Sequence, residues 1–146
     1  MSKLKKELVC AYVSAFNSGN IEKLCSLFHH EALVWGVLGW GKVEEVRPIW
    51  EDLIRCFGIQ LQIEAIVCEH ELLAARYIER GRSVASFRGG PVTDQSYEIV
   101  AMEWFEIRRG KVYRRWGARD SASQFRQMGL PLPGEGPKEI RAGEPH

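Results

Sequence analysis

The spacing of apolar residues divides the chain into a helical first half and a strand-like second half. Apolar positions recur every three or four residues at first, as on one face of a helix. They predict a first helix capped by Ser2 and ended at 17–19, a short second helix capped by Asn20, and a third over 42–57. An apolar strand over 32–35 and a glycine-rich loop precede the third helix.

The second half alternates apolar and polar residues, which is the period of a strand. The predicted strands cover 59–69, 72–82, 95–108 and 111–117, with an irregular loop over 83–94. Two hairpins are predicted. His70-Glu71 joins the first two strand-like runs, and Arg109-Gly110 joins the last two, where glycine tolerates the positive φ of a tight turn. After Trp116-Gly117 the period becomes helical again, and Asp120 is placed to open a short helix.

Helices followed by a run of strands indicate an α+β fold. We expect three helices on a strongly curved antiparallel sheet, forming a cone with one open mouth and an internal pocket. The expected domain covers 1–130. The proline- and glycine-rich segment 131–146 has no core pattern and is predicted to be a tail.

Bulk composition restricts the function classes. The 146 residues carry a net charge of +1, which gives no general attraction to nucleic acid or to an anionic membrane. No stretch is long and apolar enough to span a bilayer. The four cysteines include no Cys-x-x-Cys pair, so reduced thiols and a cytoplasmic protein are expected. His29, His30 and His70 are interpreted as loop residues without metal partners, and no cofactor motif is present.

Strand alternation also predicts which charged side chains face the pocket. Glu103 is the lone carboxylate on an apolar face of strand 95–108. Alternation from Leu72 places Arg76 inside, and alternation from Val112 places Arg114 and Trp116 inside. A single β-bulge would invert such a face.

The C-terminal pattern resembles that of the SnoaL-like polyketide cyclases in the nuclear transport factor 2-like superfamily. Trp116, Asp120, Gln127 and Gly129 match the family's W-x-x-x-D and Q-x-G signature, with Gly110 in the preceding turn. The resemblance covers roughly residues 5–130 and implies the same cone. It also implies that Asp120 protonates a carbonyl and relays protons during an aldol ring closure.

Each candidate catalytic residue has a structural alternative. Asp120 is a general acid–base in a partly apolar cavity, or a cap of the last helix. Glu103 and Arg76 orient Asp120 or the substrate, or form a buried ion pair that fixes the register of the sheet. Where many relatives have histidine, this chain has Trp35, and Ser83 stands near a second such position.

Aromatic and basic side chains could line a pocket for a flat hydrophobic ligand, or could belong to the core. The candidate ligand contacts are Trp35, Trp40, Trp50, Phe57, Tyr97, Phe105, Arg114 and Trp116.

The sequence thus predicts a cofactor-independent enzyme that performs carboxylate acid–base chemistry on a hydrophobic carbonyl compound. Aldol-type cyclisation or a related isomerisation is the specific prediction. The alternatives are a non-catalytic ligand-binding or interaction module, and an epoxide hydrolase that uses Asp, Arg and Glu. A homodimer through the outer sheet face is expected, because Val100, Met102 and Trp104 would otherwise be exposed.

Overall fold

A computed structural model describes residues 2–132 of the chain. The helices are α1 (Ser2–Ser18), α2 (Ile21–Ser26), α3 (Val43–Phe57) and α4 (Ser121–Gln127). The strands are β1 (Phe28–Gly36), β2 (Gly39–Lys42), β3 (Gln60–Glu69), β4 (Leu72–Arg82), β5 (Ser96–Arg108) and β6 (Lys111–Arg119). The predicted α+β fold is confirmed, with the helices packed on a curved six-stranded sheet.

The sheet has the order β2-β1-β6-β5-β4-β3. All neighbours are antiparallel except β1 and β6, which pair in parallel. The two predicted hairpins, β3–β4 and β5–β6, are present. In the second turn Arg109 and Gly110 both have positive φ, 53° and 74°, as a two-residue hairpin turn requires. The parallel pairing of β1 with β6 was not predicted, because it joins segments distant in sequence.

Side-chain capping fixes the starts of α2 and α4 as the sequence indicated, whereas Ser2, the predicted cap of the first helix, lies within α1. The side chain of Asn20 accepts a hydrogen bond from the backbone N–H of Lys23 at the start of α2. Asp120 accepts one from the backbone N–H of Ser123 at the start of α4. Among residues 2–132, no helix has both the length and the apolar character needed to cross a bilayer.

The core lies between the inner face of the sheet and the helices. The rings of Tyr12 and Phe105 meet edge to face, with centroids 5.2 Å apart, and join α1 to β5. The ring centroids of Phe28 and Trp50 are 5.4 Å apart and join β1 to α3. These contacts fix how the helices cover the sheet, and therefore where the interior cavity lies.

Two predicted strand faces are wrong. In β4 the buried residues are Leu73, Ala75, Tyr77 and Glu79, so Arg76 is exposed on the outer face. In β6 the register shifts after Val112, and Tyr113 is an extra residue without a partner in β5. This bulge inverts the alternation and turns Arg115 inward, while Trp116 faces outward.

The N-terminal strand region also differs from expectation. The predicted loop before α3 contains the short strand β2, which pairs with β1. His29 and His30 lie within β1 rather than in a loop. The predicted tail lies outside the described residues, apart from 131–132.

Candidate functional site

Glu103 is the centre of a buried polar cluster on the inner face of the sheet. Its Oε1 accepts a hydrogen bond from the Tyr77 hydroxyl at 2.9 Å, and its Oε2 accepts one from the Tyr12 hydroxyl at 3.1 Å. Nη1 of Arg115 lies 3.1 Å from Oε2. The side chains of Glu103 and Arg115 are only 3% and 5% exposed, so each charge needs the other for balance.

A second carboxylate, Glu79, lies beside the first. Its Oε2 accepts a hydrogen bond from the Tyr97 hydroxyl at 2.6 Å, and its Oε1 accepts one from Nε of Arg119 at 2.7 Å. Nη2 of Arg119 is 3.9 Å from Oε2 of Glu103. Arg119 therefore bridges the two carboxylates, and two anions face two cations in the interior.

The protonation states of the cluster follow from burial and charge. Burial raises the pKa of Tyr12 and Tyr77 far above the ordinary range, and the Glu103 carboxylate raises both further. Burial likewise raises the pKa of Tyr97, together with Glu79. These phenols stay protonated and act as hydrogen-bond donors. For Arg119, burial lowers the pKa, but the carboxylates outweigh this effect and raise it overall.

Arg115 keeps donors that the protein does not use. Within residues 2–132, its buried Nε and Nη1 have no hydrogen-bond acceptor. Nη1 is close to Glu103, yet the two groups are not aligned as a hydrogen bond. The buried hydroxyl of Ser121 also has no partner there. A buried donor without an acceptor costs about 1–3 kcal/mol. Such groups beside a cavity are suited to the oxygen atoms of a ligand.

A cavity of about 50 Å³ adjoins the cluster. Glu79, Glu103, Arg115, Arg119 and Gln124 form its polar side. The remaining lining is Phe16, Gly36, Val37, Leu38, Gly39, Val46, Ile49, Trp50, Leu53, Ile59, Ser121 and Phe125. The turn between β1 and β2 therefore forms part of the wall. An apolar chamber with a charged side fits a hydrophobic ligand that has a polar group.

The predicted catalytic residues are not gathered in one place. Glu103 borders the cavity, as alternation in β5 predicted. Arg76 lies on the opposite face of the sheet, because Tyr77 and Glu79 take the inward positions of β4. Asp120 is exposed, caps α4 and does not border the cavity. This is the capping interpretation of Asp120, and its catalytic role stays a prediction.

Of the predicted ligand contacts, only Trp50 borders the cavity. The rings of Trp35 and Trp116 stack 5.2 Å apart, and Trp35 also stacks on Trp40. The other predicted contacts occupy several environments: Phe57 and Phe105 are core residues, Tyr97 binds Glu79, and Arg114 binds the carbonyl oxygens of Glu31 and Tyr113.

Sequence reasoning missed Glu79, Arg115 and Arg119. A signal for Glu79 was present, since Arg76, Arg80 and Arg82 share one face of β4, and three cations are typical of a solvent face. No local signal marked Arg115, because its direction depends on the bulge at Tyr113.

One group of potential metal ligands occurs among residues 2–132. His29, His30 and Glu31 bring one ligand atom each within 4.8 Å of one another. The group is largely exposed and is not part of the cavity wall. Desolvation lowers the pKa of His29, and the positive charges of Arg108 and Arg109 lower it further. The same positive charges repel a cation bound at this group.

Helices on a curved sheet around an interior cavity define the class of nuclear transport factor 2-like proteins. A protein of ketosteroid isomerase-like fold from Catenulispora acidiphila has a TM-score of 0.74 and 15% identity, covering 86% of this chain and 95% of its own. The chain belongs to the SnoaL-like polyketide cyclase family, whose sequence model matches residues 6–128. No curated protein sequence matches it significantly.

Two solved structures illustrate the likeness within this fold. IdmH from Streptomyces antibioticus, a proposed polyketide cyclase, has a TM-score of 0.75 and 23% identity, covering 85% of this chain and 97% of its own. AclR from Streptomyces galilaeus, a proposed hydroxylase, has a TM-score of 0.78 and 18% identity, covering 88% and 97%. At such identities the likeness establishes the fold and leaves the reaction open.

Proposed function

We propose that the protein binds a hydrophobic carbonyl compound in the interior cavity and catalyses an aldol-type ring closure or a related isomerisation. One observation supports this most: Glu103 and Arg115, which has unused donors, lie side by side on the polar side of a cavity whose other walls are mainly apolar. The family membership supports the same class of substrate.

The proposed chemistry needs only the side chains of the cluster. The Glu103 carboxylate removes a proton from the carbon beside a carbonyl group, and an enolate forms. The enolate carbon attacks a second carbonyl carbon of the same molecule, and a carbon–carbon bond forms. Glu103 then returns the proton to the new alkoxide, so protons and electrons balance.

Charge balance explains why a guanidinium belongs beside this base. When Glu103 accepts a proton it becomes neutral, and the substrate becomes the anion. Arg115 can then pair with the enolate oxygen through its unused donors, so the net charge of the interior does not change. The Tyr12 and Tyr77 hydroxyls donate one hydrogen bond to each oxygen of the Glu103 carboxylate and so hold it in a fixed orientation at the cavity wall.

The size of the cavity limits which substrates can enter it without a movement of the protein. A volume of about 50 Å³ accommodates only a few water molecules. A substrate with several rings therefore requires the turn around Val37 and Leu38 to move outward. We regard the present chamber as the closed form.

The test is a thermal-shift screen with polycyclic ketones, aromatic polyketide esters, steroids and terpenoid epoxides, followed by turnover assays of each stabilising compound. Glu103→Gln is expected to lower turnover at least about 100-fold, with the fold checked by circular dichroism. Asp120→Asn is the matched control and should retain turnover. Full activity of Glu103→Gln would reject this base. Loss of activity in Asp120→Asn alone would establish the alternative acid–base residue.

Epoxide hydration is a second candidate, supported by the bridge from Glu79 through Arg119 to Glu103. This route requires one of the two carboxylates to take up a proton from solvent first, and the resulting carboxylic acid would give that proton to the epoxide oxygen as the ring C–O bond breaks. The other carboxylate would take a proton from the attacking water, which yields a diol. In this case epoxides are the stabilising compounds, and Glu79→Gln abolishes diol formation. Ligands that stabilise the protein without any turnover would instead indicate a non-catalytic binding module.

We also propose that the protein is a homodimer through the outer face of β5. Val100, Met102 and Trp104 are about half exposed there, at 50%, 53% and 47%. Trp116 and Val67 extend this outer patch. A contiguous apolar patch on a sheet face is typical of a protein interface.

A further inference from the structure

We infer that Gly117 is a positioning residue: its missing side chain leaves the space through which Arg115 reaches Glu103. The functional consequence rests on the proposed function, whereas the structural part can be tested without a substrate. Gly117 lies directly opposite Glu103 in the pairing of β5 with β6, and Arg115 is its inward neighbour two residues earlier.

The three heavy atoms nearest to a Cβ added at Gly117 all belong to the ion pair. A Cβ atom added to Gly117 would overlap Nη1 of Arg115 and would lie 3.3 Å from its Cζ. The third nearest atom is Oε2 of Glu103, at 3.5 Å. The Arg115 side chain therefore crosses the backbone of residue 117 on its way to the carboxylate. A methyl group at this position displaces the guanidinium.

Space, rather than backbone conformation, requires a glycine here. Gly117 is not among the glycines with positive φ, so alanine can adopt the same backbone. Gly81 makes a useful comparison, because a Cβ there would meet the Tyr97 ring at 2.6 Å and also the backbone oxygen of Phe57 at 2.9 Å. A methyl group at Gly81 thus conflicts with the backbone as well, whereas at Gly117 it conflicts mainly with one side chain.

The cavity offers room for the displaced guanidinium. Arg115 is 4% exposed and borders this small cavity, and protein interiors are otherwise close-packed. Gly117→Ala is therefore expected to push Arg115 into the cavity. That change separates the cation from Glu103 and fills the space that the proposed substrate needs.

The first test observes Arg115 directly, by the nitrogen-15 NMR signal of its Nε–H group, assigned by its loss in Arg115→Lys. In the wild type this enclosed group should exchange slowly with water. In Gly117→Ala the signal should shift and exchange at least about tenfold faster. Ala118→Ser is the control, since Ala118 follows Gly117 directly but is exposed on the outer side of the strand, so the Arg115 signal should stay in place. An unchanged signal in Gly117→Ala would overturn the inference.

The second test is a double-mutant cycle, which also covers the case in which Gly117→Ala alone does not fold. The background is Glu103→Gln with Arg115→Met, which removes both charges and the guanidinium. Gly117→Ala should lower Tm in the wild type and change it by less than about 2 °C in this background. Equal destabilisation in both backgrounds would show that Gly117 does not act through Arg115.

The readout with substrate separates this inference from the proposed function. If a substrate is found, Gly117→Ala should lose turnover, and Gly117→Ala combined with Glu103→Gln should lose no more than Glu103→Gln alone. Additive losses would overturn the positioning role. If the Arg115 signal shifts in Gly117→Ala but the screen finds no substrate, the positioning role of Gly117 stands and the proposed catalysis is not supported.

Discussion

At the scale of single residues, the buried carboxylates of the interior are each paired with hydrogen-bond donors and with a positive charge. Tyr12 and Tyr77 donate to Glu103, and Tyr97 donates to Glu79. Each buried carboxylate thus has a phenol and a guanidinium as partners. Glu103 could be predicted from sequence, because it is the one charged residue on an apolar face. Its partners could not, since they come from three other elements.

The phenols predict how stability depends on alkaline pH. The pKa of Tyr12, Tyr77 and Tyr97 is raised in the folded protein above the ordinary value of 10.0. Above that pH the unfolded chain releases these protons and the folded protein keeps them. The stabilising contribution is therefore complete below pH 10 and declines as pH rises beyond it.

We expect Tm, measured by calorimetry from pH 8 upward, to fall steeply above about pH 10. Tyr97→Phe removes one of the three groups and should make the decline shallower, although it also lowers Tm at neutral pH. The same slope in Tyr97→Phe and wild type would contradict the buried, protonated phenol.

At the scale of elements, the bulge in β6 decides which arginine faces the interior. Unbroken alternation from Val112 places Arg114 inside, whereas the extra residue Tyr113 places Arg115 inside. Arg114 instead lies over the Tyr113 ring, with its Cζ 3.9 Å from the ring centroid. The alternation of apolar and polar residues does not reveal such an insertion, because a bulge depends on how the strand pairs with its neighbour.

A pair of variants measures the effect of this bulge. Arg114→Ala should lower the free energy of unfolding by less than about 1 kcal/mol, because it removes surface contacts. Arg115→Ala should lower it by about 3–5 kcal/mol, because Glu103 is left buried without its nearest cation. Urea unfolding followed by tryptophan fluorescence gives both values. The reverse order would mean that Arg114 faces inward.

At the scale of the whole molecule, the two faces of the sheet carry different kinds of side chain. The inner face holds the charged cluster and the cavity. The outer face presents the apolar residues Val100, Met102 and Trp104. If that face is the dimer interface, the cavity and the partner subunit lie on opposite sides of the sheet.

Sedimentation equilibrium at micromolar concentration tests this assembly. The wild type should sediment as twice the chain mass of 16.7 kDa. Trp104→Glu should give a folded monomer, because a carboxylate in an apolar interface is not compensated. Val84→Glu is the matched control on a valine that is 48% exposed outside the sheet, and it should remain dimeric. A monomeric wild type would contradict the proposed interface.

The sequence by itself determined the helices, the four long strands of the second half and their order, but not the short strand β2. These features depend on a few neighbouring residues, so a local pattern is enough to predict them. They are the apolar periods of 3.6 and 2 residues, the caps at Asn20 and Asp120, and the Arg109-Gly110 turn. The sequence also determined the family, through the C-terminal signature.

Only the tertiary structure decided which side chains meet in the interior. Three features arise only when distant segments pair: the bulge in β6, the parallel pairing of β1 with β6, and the inward face of β4. Glu79, Arg115 and Arg119 enter the cavity wall for that reason, while Arg76 leaves it. A one-residue change in register exchanges the two faces of a strand. The cluster is therefore a property of the assembled sheet, and no single segment specifies it.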